Sequence, residues 1–190
     1  MQLNEKQLAD RFRCGEAGSF ESLYREFGPR LYRFCLRLCG DVSCAEDLTQ
    51  EVFLAAFRGA ERFEARSSIA TWLYRIALYR WRHSRDKSRI NTVSLQETDA
   101  PLSADPAQIG LEKVALDAAL AALPDPLRVA FLLVKAEGFL CREAAEILGV
   151  PESTLKSRVA LASHKLQALL STDEREVQMP QSRCEIGEIP

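Results

Sequence analysis

Apolar residues recur at three- and four-residue steps through most of this 190-residue chain, and no convincing segment alternates apolar with polar. That is the helical period, so an all-α fold is expected. The clearest stripe runs from Ser19 to about Cys39 and contains Phe20, Leu23, Tyr24, Phe27, Leu31, Phe34, Cys35 and Leu38. Pro29 lies within it and predicts a kink or break near Gly28, because proline lacks a backbone N–H and crowds the preceding turn. A shorter helix is expected before it, from about Glu5 to Cys14. Gly15 and Gly18 end the first helix, and Gly40 ends the second.

The next helix is expected to start at a capping box, Ser43-Cys44-Ala45-Glu46, whose hydroxyl and carboxylate would satisfy each other's free amides. Its inner stripe is Ala45, Leu48, Val52, Ala55, Ala56 and Gly59, which leaves Asp47, Gln50, Glu51, Leu54 and Arg58 outside. After a loop from Arg62 to Ser68 comes an aromatic and basic helix, TWLYRIALYRWRHSRDKSR, over residues 71–89. It buries Ile69, Leu73, Ile76 and Ala77 and turns its arginines outward. Residues 91–110 lack periodicity, carry Pro101 and Pro106, and read as a flexible acidic linker. A second helical unit begins near Leu111, with Leu116, Leu120, Leu123, Leu127, Phe131 and Leu132 as its core. Arg142 to Leu148, a turn at Gly149 and Ser153 to Leu170 make a helix-turn-helix pattern. The acidic tail 171–190 is expected to fray.

Two small helical domains are therefore expected, residues 1–90 and 111–170, each able to move independently in the free protein. Charge is uneven along them: residues 75–89 hold six Lys/Arg against Asp86, although the whole chain carries −2. A mildly acidic protein binds DNA when its positive charge is concentrated on one stripe. No apolar run approaches a membrane span and the N-terminus lacks a signal-peptide core, so a cytoplasmic protein with reduced cysteines is expected.

A polar helix face such as Asp47, Gln50 and Glu51 is ordinarily a solvated surface. For Trp72, Tyr74, Tyr79 and Trp81 the plain alternative is packing, with Trp72 the best core candidate. Four aromatics within ten residues cannot all face one core, and the arginines between them favour capture of a single strand. In the helix-turn-helix, Leu155, Val159, Ala162 and Leu166 face inward, while Lys156, Ser157, Ala160 and His164 lie opposite. The equal numbers of acids and bases in residues 112–170 predict weak duplex binding by this unit alone.

AEDLTQEVF followed by TWLYRIA resembles region 2 of the extracytoplasmic-function branch of bacterial sigma-70 factors. Residues 123–158, LPDPLRVAFLLVKAEGFLCREAAEILGVPESTLKSR, resemble region 4 of the same family. The resemblance implies binding of core RNA polymerase, through its β′ clamp helices and β subunit, and of promoter DNA. It also implies a cognate anti-sigma factor, often membrane-bound, and neither a cofactor nor an enzymatic activity. By alignment, Asp47, Gln50, Glu51, Phe53 and Leu54 would face the polymerase. Gly59, Phe63, Ile76 and Tyr79 would form a pocket for a flipped −10 base, covered by residues 64–70, with Trp72, Arg75, Arg80 and Arg82 along the strand. Tyr79 stands where many relatives carry Asn, which leaves the flipped base open. Lys156 and Ser157 align with −35 base-reading positions, Arg158 with a phosphate contact, and Ala160 and His164 share their face.

Cys35-x3-Cys39-x4-Cys44 matches no common zinc spacing, and Cys35 falls on an apolar stripe, so a core role is expected rather than a metal site. His83 and His164 have no acid or base partner that would support catalysis, and no phosphate-cradling glycine loop is present. Two other readings stay open: a helix-turn-helix regulator with a sensing domain, and a sigma-like adaptor that binds polymerase without reading promoters.

Overall fold

The computed structural model describes residues 5–64, 67–91 and 111–176, and every regular element among them is helical. The first unit contains α1 (Glu5–Arg13), α2 (Ser19–Cys39), α3 (Val42–Gly59), a 3₁₀ turn (Ala60–Arg62) and α4 (Ile69–Asn91). The second contains α5 (Leu111–Ala121), α6 (Asp125–Phe131), a π-helical turn (Leu132–Ala136), α7 (Cys141–Leu148) and α8 (Glu152–Glu176).

The α2 helix runs through Pro29 without the break that was one of the two outcomes expected there. Pro29 is exposed, so its missing hydrogen bond falls on the solvent side, while Phe27, Leu31 and Phe34 around it are buried. At about 1.5–3 kcal/mol each, those side chains outweigh the ~3 kcal/mol cost of an internal proline. The start of α3 also differs from expectation. Gly40 ends α2 in the left-handed region, at φ 73°, and leaves Asp41 extended. The Asp41 carboxylate then accepts the Cys44 N–H at 2.7 Å. Asp41 is thus the cap, and Ser43 already lies within the helix.

Packing follows the apolar stripes. α2 lies along α3 and α3 along α4, with Leu23, Leu31, Phe34, Val52, Ala56, Leu73 and Ala77 at the centre. Ser68 caps α4 by accepting the Thr71 N–H at 3.0 Å, and Glu5 of α1 accepts the Ala70 N–H at 3.2 Å. In the second unit α8 packs on α5, α6 and α7 through the expected residues Leu155, Val159, Ala162 and Leu166, all buried. Gly149, left-handed at φ 66°, makes the turn between α7 and α8. α8 continues to Glu176, past the point where a frayed tail was expected. The acidic linker, residues 92–110, and the tail from 177 lie outside the described residues.

The two units, expected to move independently, are in contact in this structure. α4 lies against α7 and α2 against α5.

Candidate functional site

On α3, Asp47, Gln50, Glu51 and Leu54 are all exposed, as the helical period predicts. Phe53 is not: it is 3% exposed and packs edge-on against Phe20 and Tyr24. It stands eight residues after Ala45 and four after Thr49, both buried, so it belongs to the inner stripe. The apolar part of this surface comes instead from Leu54, Tyr24 and Phe57, the last 61% exposed. Tyr24 was placed on the apolar stripe of α2 from sequence but is 53% exposed, and Phe57 was not singled out, although it lies three residues after Leu54 on the same face.

The aromatics of α4 are distributed differently from expectation. Tyr74 is fully buried between Phe34 of α2 and Phe139 of the second unit. Trp81 is also buried, at 5% exposure, with the Arg85 guanidinium 5.2 Å from its ring. Trp72 is half-buried against Phe63 and Phe12 and backs onto Gly59. Phe63 is itself a core residue. Three of the four aromatics pack inward because α4 has a core on each side. Tyr79 alone of the four is open, at 67% exposure, with His83 one turn on at 6.2 Å between ring centroids. Gly59, Phe63 and Trp72 are therefore brought together, and Ile76 and Tyr79 continue along the same side of α4. A cavity of about 350 Å³ lies next to this group, between α1 and the loop before α4, lined by Glu5, Asp10, Phe63, Ser67 and Ser68.

Three of the α4 arginines are engaged rather than free. Arg80 is 3.9 Å from Glu51 of α3, Arg75 is 2.9 Å from Glu146 of α7, and Arg85 pairs with Asp125 of α6. On α8, Lys156, Ser157, Ala160 and His164 are exposed and Arg158 is half-buried. Lys156 sits 2.6 Å from Glu152, which raises its pKa.

Models of sigma-70 region 2 and sigma-70 region 4 match residues 23–90 and 113–166. The ECF RNA polymerase sigma factor EcfG of Rhodopseudomonas palustris is 37% identical over 150 residues, 78% of this chain and 83% of that protein. CarQ of Myxococcus xanthus, an RNA polymerase sigma factor, is 32% identical over 172 residues, 88% and 98% of the two chains. The chain belongs to the ECF RNA polymerase sigma factors. Among solved structures, the sigma factor RpoE in complex with the anti-sigma factor NepR from Bartonella quintana superposes with a TM-score of 0.72 at 31% identity. That match covers 83% of this chain and 99% of the other. Sigma factors are transcription initiation factors.

In this sigma factor the principal polar link between the region 2 and region 4 units is Glu137, whose side chain is 4% exposed. Its carboxylate accepts from Arg30 Nε at 2.9 Å and from the Tyr74 hydroxyl at 2.5 Å, and its carbonyl accepts from Arg30 Nη2. Burial and the Glu137 carboxylate both raise the pKa of Tyr74, which stays a protonated donor. Nearby, Arg128 donates to the Leu38 carbonyl at 3.3 Å and pairs with Asp125, while its burial lowers its pKa.

Of the cysteines, Cys35 is fully buried, Cys39 half-buried and Cys44 exposed. Burial pushes the Cys35 thiol up to about 12. Among the described residues no cluster of His, Cys, Asp or Glu is arranged to hold a metal, and no helix is long and apolar enough to cross a membrane.

Proposed function

We propose that this sigma factor binds core RNA polymerase through the outer face of α3 and directs it to promoters by capturing the −10 strand on α4 and reading −35 duplex with α8. The observation that carries this reading is the separation of faces. Asp47, Gln50, Glu51 and Leu54 open one side of the first unit; Tyr79 stands exposed on the neighbouring helix; and Lys156, Ser157, Ala160 and His164 open one side of α8. Carboxylates beside apolar anchors suit a protein partner, here the β′ clamp helices, with β as a further contact. An exposed ring among arginines suits an unpaired base. The first turns of a second helix in a helix-turn-helix suit base edges in the major groove.

In this reading Arg75, Arg80 and Arg82 follow the strand, Tyr79 and Ile76 border the flipped base, and Arg158 holds phosphate. Phe63, Gly59 and Trp72 form the wall behind that base rather than its stacking surface. The chain contributes binding only; the chemistry of RNA synthesis belongs to the polymerase, and no cofactor is required. We place it in the cytoplasm, restrained by an anti-sigma factor, as the solved complex of its Bartonella relative supports. Run-off transcription from genomic fragments tests the reading: core polymerase should initiate at discrete sites only when this protein is added. The pairing of Lys156 with Glu152 favours one second reading, an adaptor without promoter recognition. Tight core binding with no site-specific initiation would select it.

A further inference from the structure

Glu5 links α1 to α4: its carboxylate accepts the Ala70 N–H at 3.2 Å, 65 residues away in the chain. The first turn of α4 is thus capped twice, because Ser68 accepts the Thr71 N–H at 3.0 Å. α1 precedes residues 23–90, the stretch that the region 2 family model matches. We propose that α1 is a positioning element for −10 recognition, in which Glu5, by holding the first turn of α4, fixes the register at which Trp72, Ile76 and Tyr79 meet the flipped base. This rests on the reading of α4 as the −10 helix.

The first amides of a helix have no partner within it, and a carboxylate there both accepts a hydrogen bond and suits the positive end of the helix dipole. Glu5 can do this only if α1 is itself held in place. Leu8, Ala9 and Phe12 hold it, all three buried. The Phe12 ring centroid lies 6.2 Å from that of Trp72 and 6.5 Å from that of Phe20. Glu5 and Phe12 stand about 10 Å apart along a helix, so α1 touches the start of α4 at two separate points, the Ala70 backbone and the Trp72 ring. Beside Glu5 lies the cavity of about 350 Å³ lined by Asp10, Phe63, Ser67 and Ser68. On that side the turn is held by hydrogen bonds rather than by packing. Trp72 packs on Phe63 at 5.0 Å and on Gly59, where an added Cβ would lie 3.5 Å from its ring. A shift of the first turn moves Trp72 and, because α4 is one continuous helix, carries Ile76 and Tyr79 with it. A wall that discriminates between bases has to be held to about half an ångström. Loosening it weakens right and wrong contacts alike and narrows the difference between them.

The test uses holoenzyme reconstituted from core polymerase and the full chain, on a promoter recovered by run-off transcription with each −10 and −35 position varied singly. Glu5→Ala should lower discrimination at one −10 position about fivefold, the effect of losing a helix cap, and leave −35 preference unchanged. Glu5→Gln keeps an oxygen that accepts the Ala70 N–H and should stay within about twofold of the unaltered protein. Hydrogen exchange followed by mass spectrometry should be faster over residues 68–72 in Glu5→Ala and unchanged over the middle of α3. Equal losses across all −10 and −35 variants would mean that Glu5 supports folding alone, and would overturn the proposal. So would unchanged discrimination, unchanged exchange over residues 68–72, or a loss in Glu5→Gln as large as in Glu5→Ala. Tyr79→Asn is the reference that separates the two ideas. If it alters −10 preference while Glu5→Ala does not, the positioning role of α1 falls and the sigma reading stands. No initiation with the unaltered protein removes the sigma reading and this proposal with it.

Discussion

The Tyr74 hydroxyl, on a helix of region 2, donates to the Glu137 carboxylate of region 4 at 2.5 Å in a fully buried setting. Tyr74→Phe keeps the ring contacts with Phe34 and Phe139 but removes one donor from a buried carboxylate. A loss of about 1–3 kcal/mol is expected, with Arg30 still holding the remaining charge. Tyr74→Ala should cost more, about 3–5 kcal/mol, because the ring packing goes as well. Urea unfolding of the three proteins measures both; equal losses would mean that the hydroxyl contributes nothing.

Alkaline pH should unfold the protein early. Burial raises the pKa of Cys35 to about 12, and burial together with neighbouring groups raises Cys39 and Tyr74. All three are neutral when protonated, and the folded state holds those protons more firmly. Their contribution is therefore complete below the unfolded values, 9.0 for cysteine and 10.0 for tyrosine, and is lost as pH rises toward the folded ones. Each group adds a slope of up to about 1.4 kcal/mol per pH unit within that window. Denaturation midpoints should be nearly level up to about pH 9 and fall above it. Cys35→Ala should flatten the fall, even if it lowers the starting value. A slope unchanged by that substitution would rule out Cys35 as a contributor.

Much of this architecture was legible from spacing alone, and the exceptions have physical causes. The inner face of α8 was correct residue for residue because one apolar stripe meets one core. The α3 cap was misplaced because Asp41 and Ser43 are both good acceptors, and only the left-handed Gly40 decides between them. Phe53 was assigned to the surface although its spacing from Ala45 and Thr49 puts it inside, a signal that the alignment overrode. Tyr74 and Trp81 were misread for a different reason. Periodicity reports which residues of a helix are apolar, not how many bodies pack against it, and α4 packs on two. Nothing in the neighbourhood of Arg30 announces a partner 107 residues away. The nearest available clue was Glu137 itself, a lone carboxylate between the apolar run Leu132–Val134 and Phe139.

The proposed polymerase face predicts a separation of binding from folding. Replacing Asp47 and Glu51 with Lys should weaken affinity for core polymerase while changing stability by less than about 0.5 kcal/mol, since both are exposed. Glu51 is also 3.9 Å from Arg80, a surface pair of small consequence. Phe57→Ala should reduce core affinity about tenfold if its exposed ring is an anchor, whereas Phe53→Ala should act mainly through stability. Fluorescence titration against core polymerase beside thermal unfolding distinguishes them. Unaltered core affinity in the Asp47/Glu51 variant would remove α3 from the interface.

The division of labour on promoter DNA follows from what is exposed on the two reading helices. On α4 the open ring is Tyr79, so Tyr79→Asn in the holoenzyme should change the base preferred at one −10 position and leave −35 preference untouched. On α8 the first-turn cation is Lys156, held 2.6 Å from Glu152. Lys156→Ala should do the reverse, reducing discrimination at a −35 position by about tenfold if the ammonium reads a base edge. Lys156 must leave Glu152 to reach DNA, so Glu152→Gln should strengthen the same −35 contact. Transcription from a library of promoters randomised at both elements measures all three together. A uniform loss across −35 variants would mean that Lys156 touches only phosphate. An unchanged −10 preference in Tyr79→Asn would mean that the base is held elsewhere, and the cavity between α1 and Ser67–Ser68 would become the next position to probe.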